Sequence, residues 1–283
     1  MKKFREGFMQ VLFMLSALVS IIAVALICIF LFANGVPAIR EIGLVDFLTG
    51  TSWKPEQNIY GILPMIIGSI YVTAGAMLIG VPIGILTALF LVHFCPAGLY
   101  RFLKRAVDLL AGIPSIVYGF FGLTVIVPAI RNGLGGSGSS MLAASVVLGI
   151  MILPTIINVS ESAIRAVPES YYEGSLALGA SHERSVFFTV LPAAKSGVFA
   201  AVILGMGRAV GETMAVIMVA GNQTAMPGGP LQGLRTLTAN IVLEMAYAAD
   251  LHRGALIATA VVLFVFILII NLSFSLLKRR AKL

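Results

Sequence analysis

Arg208 and Glu212 are the only charged residues in the apolar run from Ser196 to Gly221. At a spacing of four they share one face of an α-helix. Arg208 lies ~18 Å along that helix from Ser196, close to mid-bilayer if the run spans a membrane. A charge at that depth costs at least about 2.5–3.5 kcal/mol, so it needs a reason. One reading is a structural lock in which the two side chains neutralise each other. The other is a path for an anion: a guanidinium matches the oxygens of a phosphate-like group, and Glu212 keeps the grip weak enough for release. Gly207 and Gly211 leave room beside Arg208 under either reading.

Other residues bear on chemistry less directly. Ser137, in Gly135-Gly136-Ser137-Gly138, shares a predicted side with His252, and a Ser–His pair would suit an intramembrane serine protease. The same run is also what a flexible turn looks like. No His, Cys, Asp and Glu set has metal-ligand spacing, so no metal site is expected. Gly-Lys never occurs, so there is no phosphate-binding loop of the ATPase kind. The chain is expected to bind no ATP or other cofactor and to be no enzyme. Cys28 and Cys95 suggest no disulfide framework.

The elements that must position these residues are membrane helices. Of 283 residues 59% are hydrophobic and 11% charged, whereas a soluble domain carries about 25% charged residues. The expectation is a single all-α polytopic domain, 1–283, with six spans near 8–32, 66–92, 108–130, 139–159, 196–221 and 254–277. Asn34–Ile59 reads as an external loop broken by Gly35, Pro37, Gly50 and Pro55, with Trp53 at headgroup level. Pro64 and Pro82 read as breaks. Gly80 and Gly84 form GxxxG, either a close-packing face or coincidence in a Gly-rich chain. GIPSIVYGFFG, Gly112–Gly122, reads as a kinked segment whose Pro114, Ser115 and Tyr118 line a path or simply pack. Asn222–Arg253 reads as a second external loop.

The net charge of +7 does not indicate nucleic acid, because the basic residues flank apolar runs. With both termini inside, thirteen of the nineteen Lys and Arg face the cytoplasm, five face outward and Arg208 lies in a span. That bias follows the positive-inside rule. It places Glu161–Pro192, the longest polar interruption of the C-terminal half, in the cytoplasm. Pro168 suits a first helical turn, Glu169 and Glu173 complement its dipole, Gly179 stops it and Ser181 caps a second helix. The result is a helix-turn-helix knob, read either as a docking surface or as an interfacial hairpin without a partner.

Within the knob, Glu173-Gly174-Ser175, then Gly179, then nine residues before Thr189-Val190-Leu191-Pro192, resembles the coupling motif of binding-protein-dependent ABC importer permeases. That motif has alanines where Gly174 and Ser175 stand, and isoleucine where Thr189 stands. WKPEQNIYGILPMIIGS, GIPSIVYGFFGL, GRAVGETMAVIMVAGN and RTLTANIVLEM extend the likeness over most of the chain, and are similar to the phosphate importer permeases. The resemblance implies a multi-pass bacterial plasma membrane permease subunit that admits inorganic phosphate by alternating access. It also implies a homologous second permease, two copies of an ATPase subunit carrying ATP and Mg, and a periplasmic or lipid-anchored phosphate-binding protein. Glu173, Gly174, Ser175, Gly179, Leu191 and Pro192 would form the coupling loop. Alternatives are a permease for sulfate or molybdate, or an ion-coupled secondary transporter, which inverted repeats would favour.

Overall fold

The computed structural model describes residues 2–280; Lys282, one of the basic residues counted above, lies outside them. The chain is helical nearly throughout. Among the described residues five helices are long and apolar enough to cross a membrane, and a pair bent by 71°, His182–Ala193 with Lys195–Gly211, makes six if it counts as one span.

Helix α1 (Lys2–Ile42) runs antiparallel to α14 (Asp250–Arg280). Gly35 is what lets them meet, because a Cβ there would lie 2.7 Å from Val261. Phe32 meets Phe264 edge-on at 6.1 Å. The helix therefore runs ten residues past the expected end at Phe32. Gly35 and Pro37, expected to break the chain, sit inside it. Packing against α14 outweighs local propensity. The rest of the expected Asn34–Ile59 loop is also folded, as α2 (Leu44–Thr49) and a hairpin of β1 (Trp53–Lys54) and β2 (Ile59–Tyr60).

Helices α3 (Leu63–Leu89) and α7 (Met141–Arg165) form the centre and run parallel. Their contact is a seam of small residues: Cβ atoms at Gly75, Gly80 and Gly84 would collide with Ser145, Ile152 and Ile156 respectively. The GxxxG spacing is thus a packing face. Pro64 lies in the first turn of α3 and Pro82 within it, so neither ends the helix. A π turn, Phe90–Phe94, closes it.

The basic segment that follows is a helix, α4 (Ala97–Gly112), rather than a loop. Ile113 and Pro114 are extended, and the third crossing is Ser115–Leu134, seven residues later than expected at its start. It comprises α5 (Ser115–Phe121), a π turn and α6 (Val127–Leu134). The Tyr118 hydroxyl donates to the Leu110 carbonyl at 2.7 Å, tying the two sides of the break together.

After α7 come α8 (Glu169–Ala177), α9 (His182–Ser185), a π turn, α10 (Leu191–Ala193), α11 (Lys195–Gly211), α12 (Met214–Val219) and α13 (Leu237–Glu244). Antiparallel packing of α11 on α7 sets Gly197 beside Ala163 and Gly205 beside Ile156. The start of α1, α4 and the α8–α9 knob therefore share one end of the bundle. The hairpin, α2 and α13 share the other. Most of the expected Asn222–Arg253 loop is not free: Leu234, Leu237 and Ala239 are fully buried.

Gly80→Leu is expected to lower the thermal midpoint of the purified protein, since overpacking of this kind costs roughly 1–3 kcal/mol. Gly98→Leu, where nothing lies within 4 Å of a Cβ, should leave it unchanged; equal effects would show that the seam is not tight.

Candidate functional site

The expected Ser196–Gly221 helix is interrupted. It ends at Gly211, Glu212 is extended with ψ 132°, and α12 starts at Met214. Arg208 and Glu212 consequently share no continuous face, and no ion pair within 4 Å joins them. The lock reading of the pair is overturned. The Glu212 carboxylate instead accepts the Ala215 N–H at 3.1 Å, and its carbonyl accepts the Thr238 hydroxyl at 3.2 Å. An unwound segment at membrane depth needs such substitutes for lost helical bonds.

Arg208 is left facing little. Its guanidinium donates to Thr155 Oγ1 on α7 at 3.4 Å and has no carboxylate partner among the described residues. Gly207 and Gly211 border open space. Of the other residues expected near a path, Tyr118 is buried, with its hydroxyl spent on the Leu110 carbonyl. It braces the break rather than presenting a polar group. Pro114 is exposed and Ser115 half-buried at the start of α5.

The knob follows the sequence closely. Pro168 precedes α8, Glu169 opens it, and Gly179 has φ +86°. That conformation favours glycine. The Ser181 side chain accepts the Arg184 N–H and caps α9. Glu161, expected at the start of the polar insert, lies instead within α7. Ser175 receives the hydroxyls of Ser185 and Thr189 at 3.0 and 3.3 Å, which pins α8 on the following turn. A small residue suits that place. Glu173, Gly174 and Pro192 are exposed, Leu191 half-buried. Leu178 at the tip is 91% exposed and Phe188 77%. Val186 and Val190 root the knob against Ala88, Leu89 and Ile164.

Above the knob, Glu161 is the hub of a buried cluster. Its carboxylate accepts from Tyr100 at 2.7 Å, Lys104 at 3.0 Å and Arg165 at 3.0 Å. Arg165 also lies over the Tyr100 ring. Burial disfavours the Lys104 ammonium, but Glu161 and Asp108 outweigh it and hold its pKa above the ordinary lysine value. The hydrogen bond to Glu161, with burial, pushes the Tyr100 phenol up. The cluster ties α4 to the end of α7.

A second cluster closes the opposite end. Glu244, buried on α13, is paired with Arg235, accepts the Trp53 indole N–H at 2.8 Å and meets His252 at 2.9 Å. Trp53 is therefore buried rather than set among headgroups, because its N–H finds a carboxylate and its ring finds Tyr60 and His252. Burial, then Glu41, raises the Tyr60 phenol. Nothing local in the sequence announces this cluster, since its members come from three separated segments. His252 is thus engaged by Glu244, while Ser137 donates to the Ser139 carbonyl. No hydrogen bond joins Ser137 to His252, so the protease pairing is not formed.

A bundle of five to six apolar crossings, with a broken helix beside Arg208 and a helical knob at one end, is the architecture of a membrane permease. The chain belongs to the binding-protein-dependent transport system inner membrane component family, whose profile matches residues 80–283. It is 40% identical over 266 residues to the probable ABC transporter permease protein YqgH of Bacillus subtilis, covering 90% of this chain and 86% of that one. It is 34% identical over 276 residues to the phosphate transport system permease protein PstC of Mesorhizobium japonicum, covering 90% and 84%. Among solved structures, an alginate ABC transporter in complex with its alginate pentasaccharide-bound periplasmic protein superimposes with a TM-score of 0.63 at 15% identity, covering 93% and 94%. The inward-facing MetNI methionine ABC transporter does so at 0.61 and 20%, covering 81% and 99%. At these identities the structures speak for the fold alone. The chain is an ABC importer permease subunit.

Glu161→Leu is expected to cost about 3 kcal/mol, the low end for breaking a buried pair because Lys104 and Arg165 keep some access to water. Thermal unfolding in detergent would measure it. An unshifted midpoint would show that the cluster contributes nothing net.

Proposed function

We propose that this subunit admits inorganic phosphate to the cytoplasm by alternating access, within a complex of two permeases, two ATPase subunits and an external phosphate-binding protein. The observation that carries the reading is Arg208: a guanidinium at membrane depth, beside a break and open space, with no carboxylate partner among the described residues. A charge kept there at a cost of several kcal/mol, and not spent on a lock, is available to an anion. The likeness to phosphate permeases supports the choice of anion. Release no longer requires Glu212 to compete for Arg208, as the pairing reading supposed; one guanidinium by itself holds an anion weakly enough to let go.

Energy enters at the knob. Its exposed Glu173, Leu178 and Phe188 offer a charge and two apolar anchors to a nucleotide-hydrolysing subunit. The basic residues at that end support a cytoplasmic placing, and the hairpin end is then external. Magnesium and ATP belong to the partner.

Arg208→Leu should leave assembly intact and abolish radiolabelled phosphate uptake in proteoliposomes. Normal uptake by a correctly inserted variant would end the proposal. Gly179→Val, which strains a left-handed position, should reduce copurification of the ATPase subunit. Retained copurification with full coupling would remove the knob from that role.

A further inference from the structure

The hairpin end holds a cleft of about 740 Å³ between the β1–β2 turn and the α13–α14 corner. Its floor is the buried Glu244 with Trp53 and Tyr60; its rim carries Glu56, Tyr247 and Asp250. His252 stands among the Trp53, Tyr60 and Tyr247 rings, 6.0–6.2 Å between centroids. The volume lies within the range of small-ligand sites, far more than a hydrogen-bonded seam requires.

The lining chemistry is selective. Three carboxylates, Glu56, Glu244 and Asp250, face two basic groups, Lys54 and His252. Glu244 is already matched by Arg235 and His252. Glu56 and Asp250 are exposed and make no ion pair or side-chain hydrogen bond among the described residues. Tyr247 is 69% exposed beside them. Lys54 is exposed and, among the described residues, unpaired as well, which leaves two uncommitted carboxylates against one ammonium. With an aromatic face beside them they disfavour phosphate and suit a guanidinium or ammonium, which gains both charge-assisted hydrogen bonds and contact with the ring. The cleft is thus the opposite of the Arg208 region in the sign of ligand it selects.

We propose that this cleft is a second site, one that takes an arginine or lysine side chain presented by a soluble protein docked at the hairpin end. The cation preference stands on the cleft alone. The docking half rests on the reading above that a binding protein meets this end. A tyrosine on the rim and an aromatic floor are what interface anchors use, and rim charges of this kind steer a partner's approach.

Trp53 is the only tryptophan of the chain, so its fluorescence reports the cleft directly. The full chain in lipid nanodiscs would be titrated with N-acetyl-argininamide, whose only charge is the guanidinium. A saturable change is expected with a dissociation constant on the order of millimolar, and about tenfold weaker binding in Glu56→Gln/Asp250→Asn. These side chains are exposed and unbonded, and Asn tolerates the positive φ that Asp250 adopts, so the variant should fold. N-acetyl-norleucinamide and inorganic phosphate should give no saturable change. No response to the arginine amide, an equal response in the variant, or one matched by the norleucine amide overturns the site. In the assembled transporter the same variant should raise the binding-protein concentration for half-maximal ATP hydrolysis about tenfold and flatten its salt dependence. An unchanged value there, when the same variant has lost arginine-amide binding that the parent chain shows, overturns the docking half. Loss of uptake in Arg208→Leu is read separately, so failure of the cleft and failure of the phosphate reading are distinguishable.

Discussion

A chain immersed in hydrocarbon must satisfy its own backbone, because no water is present to accept or donate. The breaks within the spans are shaped by that constraint. The Glu212–Thr213 break persists because Glu212 reaches forward to the Ala215 N–H and Thr238 reaches in from α13. The Ile113–Pro114 break persists because Tyr118 bonds back across it. The segment after α12 folds in to serve the start of α7: the N–H groups of Ser140, Met141 and Leu142 are taken by the carbonyls of Val219, Gln232 and Pro230. A non-helical backbone beside Arg208 is possible only because other elements complete it.

The same solvent removes the usual driving force for helix association, so contact has to come from close approach. Glycine and alanine provide it where α3 meets α7 and where α11 crosses α7. Helix α1 is the contrast. No residue in its most apolar window is buried, and it meets the bundle through α14 and, at its C-terminal end, through Ala38, Ile39 and Ile42 in the core beneath the hairpin. It belongs to the lipid side of the molecule, whereas α3 and α7 form the body against which the broken spans are held.

Charge is concentrated where the bundle meets water. Glu161 gathers Tyr100, Lys104 and Arg165 at the knob end; Glu244 gathers Trp53, Arg235 and His252 at the hairpin end. Each carboxylate is buried and fully engaged, which favours one arrangement of its helices over alternatives even where the net stabilisation is modest. The first cluster sits about one turn before the start of the knob and ties α7 to α4 there. Arg208, by comparison, has no carboxylate partner among the described residues.

Hydropathy was enough to establish a helical membrane chain, and local capping signals were enough to place the knob. These follow from local rules: an apolar run long enough for the bilayer, a proline before α8, a glycine at positive φ after it, a serine cap on α9. The motif around Glu173 and Gly179 then pointed to a family that comparison bears out. Tertiary structure decided what depends on partners distant in sequence. Whether Pro37 breaks a helix or rides inside one turns on α14 lying against Gly35. Whether Arg208 and Glu212 pair turns on Thr238, some 26 residues on, holding the chain open at Glu212. Trp53 found Glu244 across 191 residues of sequence. A spacing of four residues implies a shared face only while the helix is unbroken, and where a helix breaks is set by the groups that stand ready to replace its bonds.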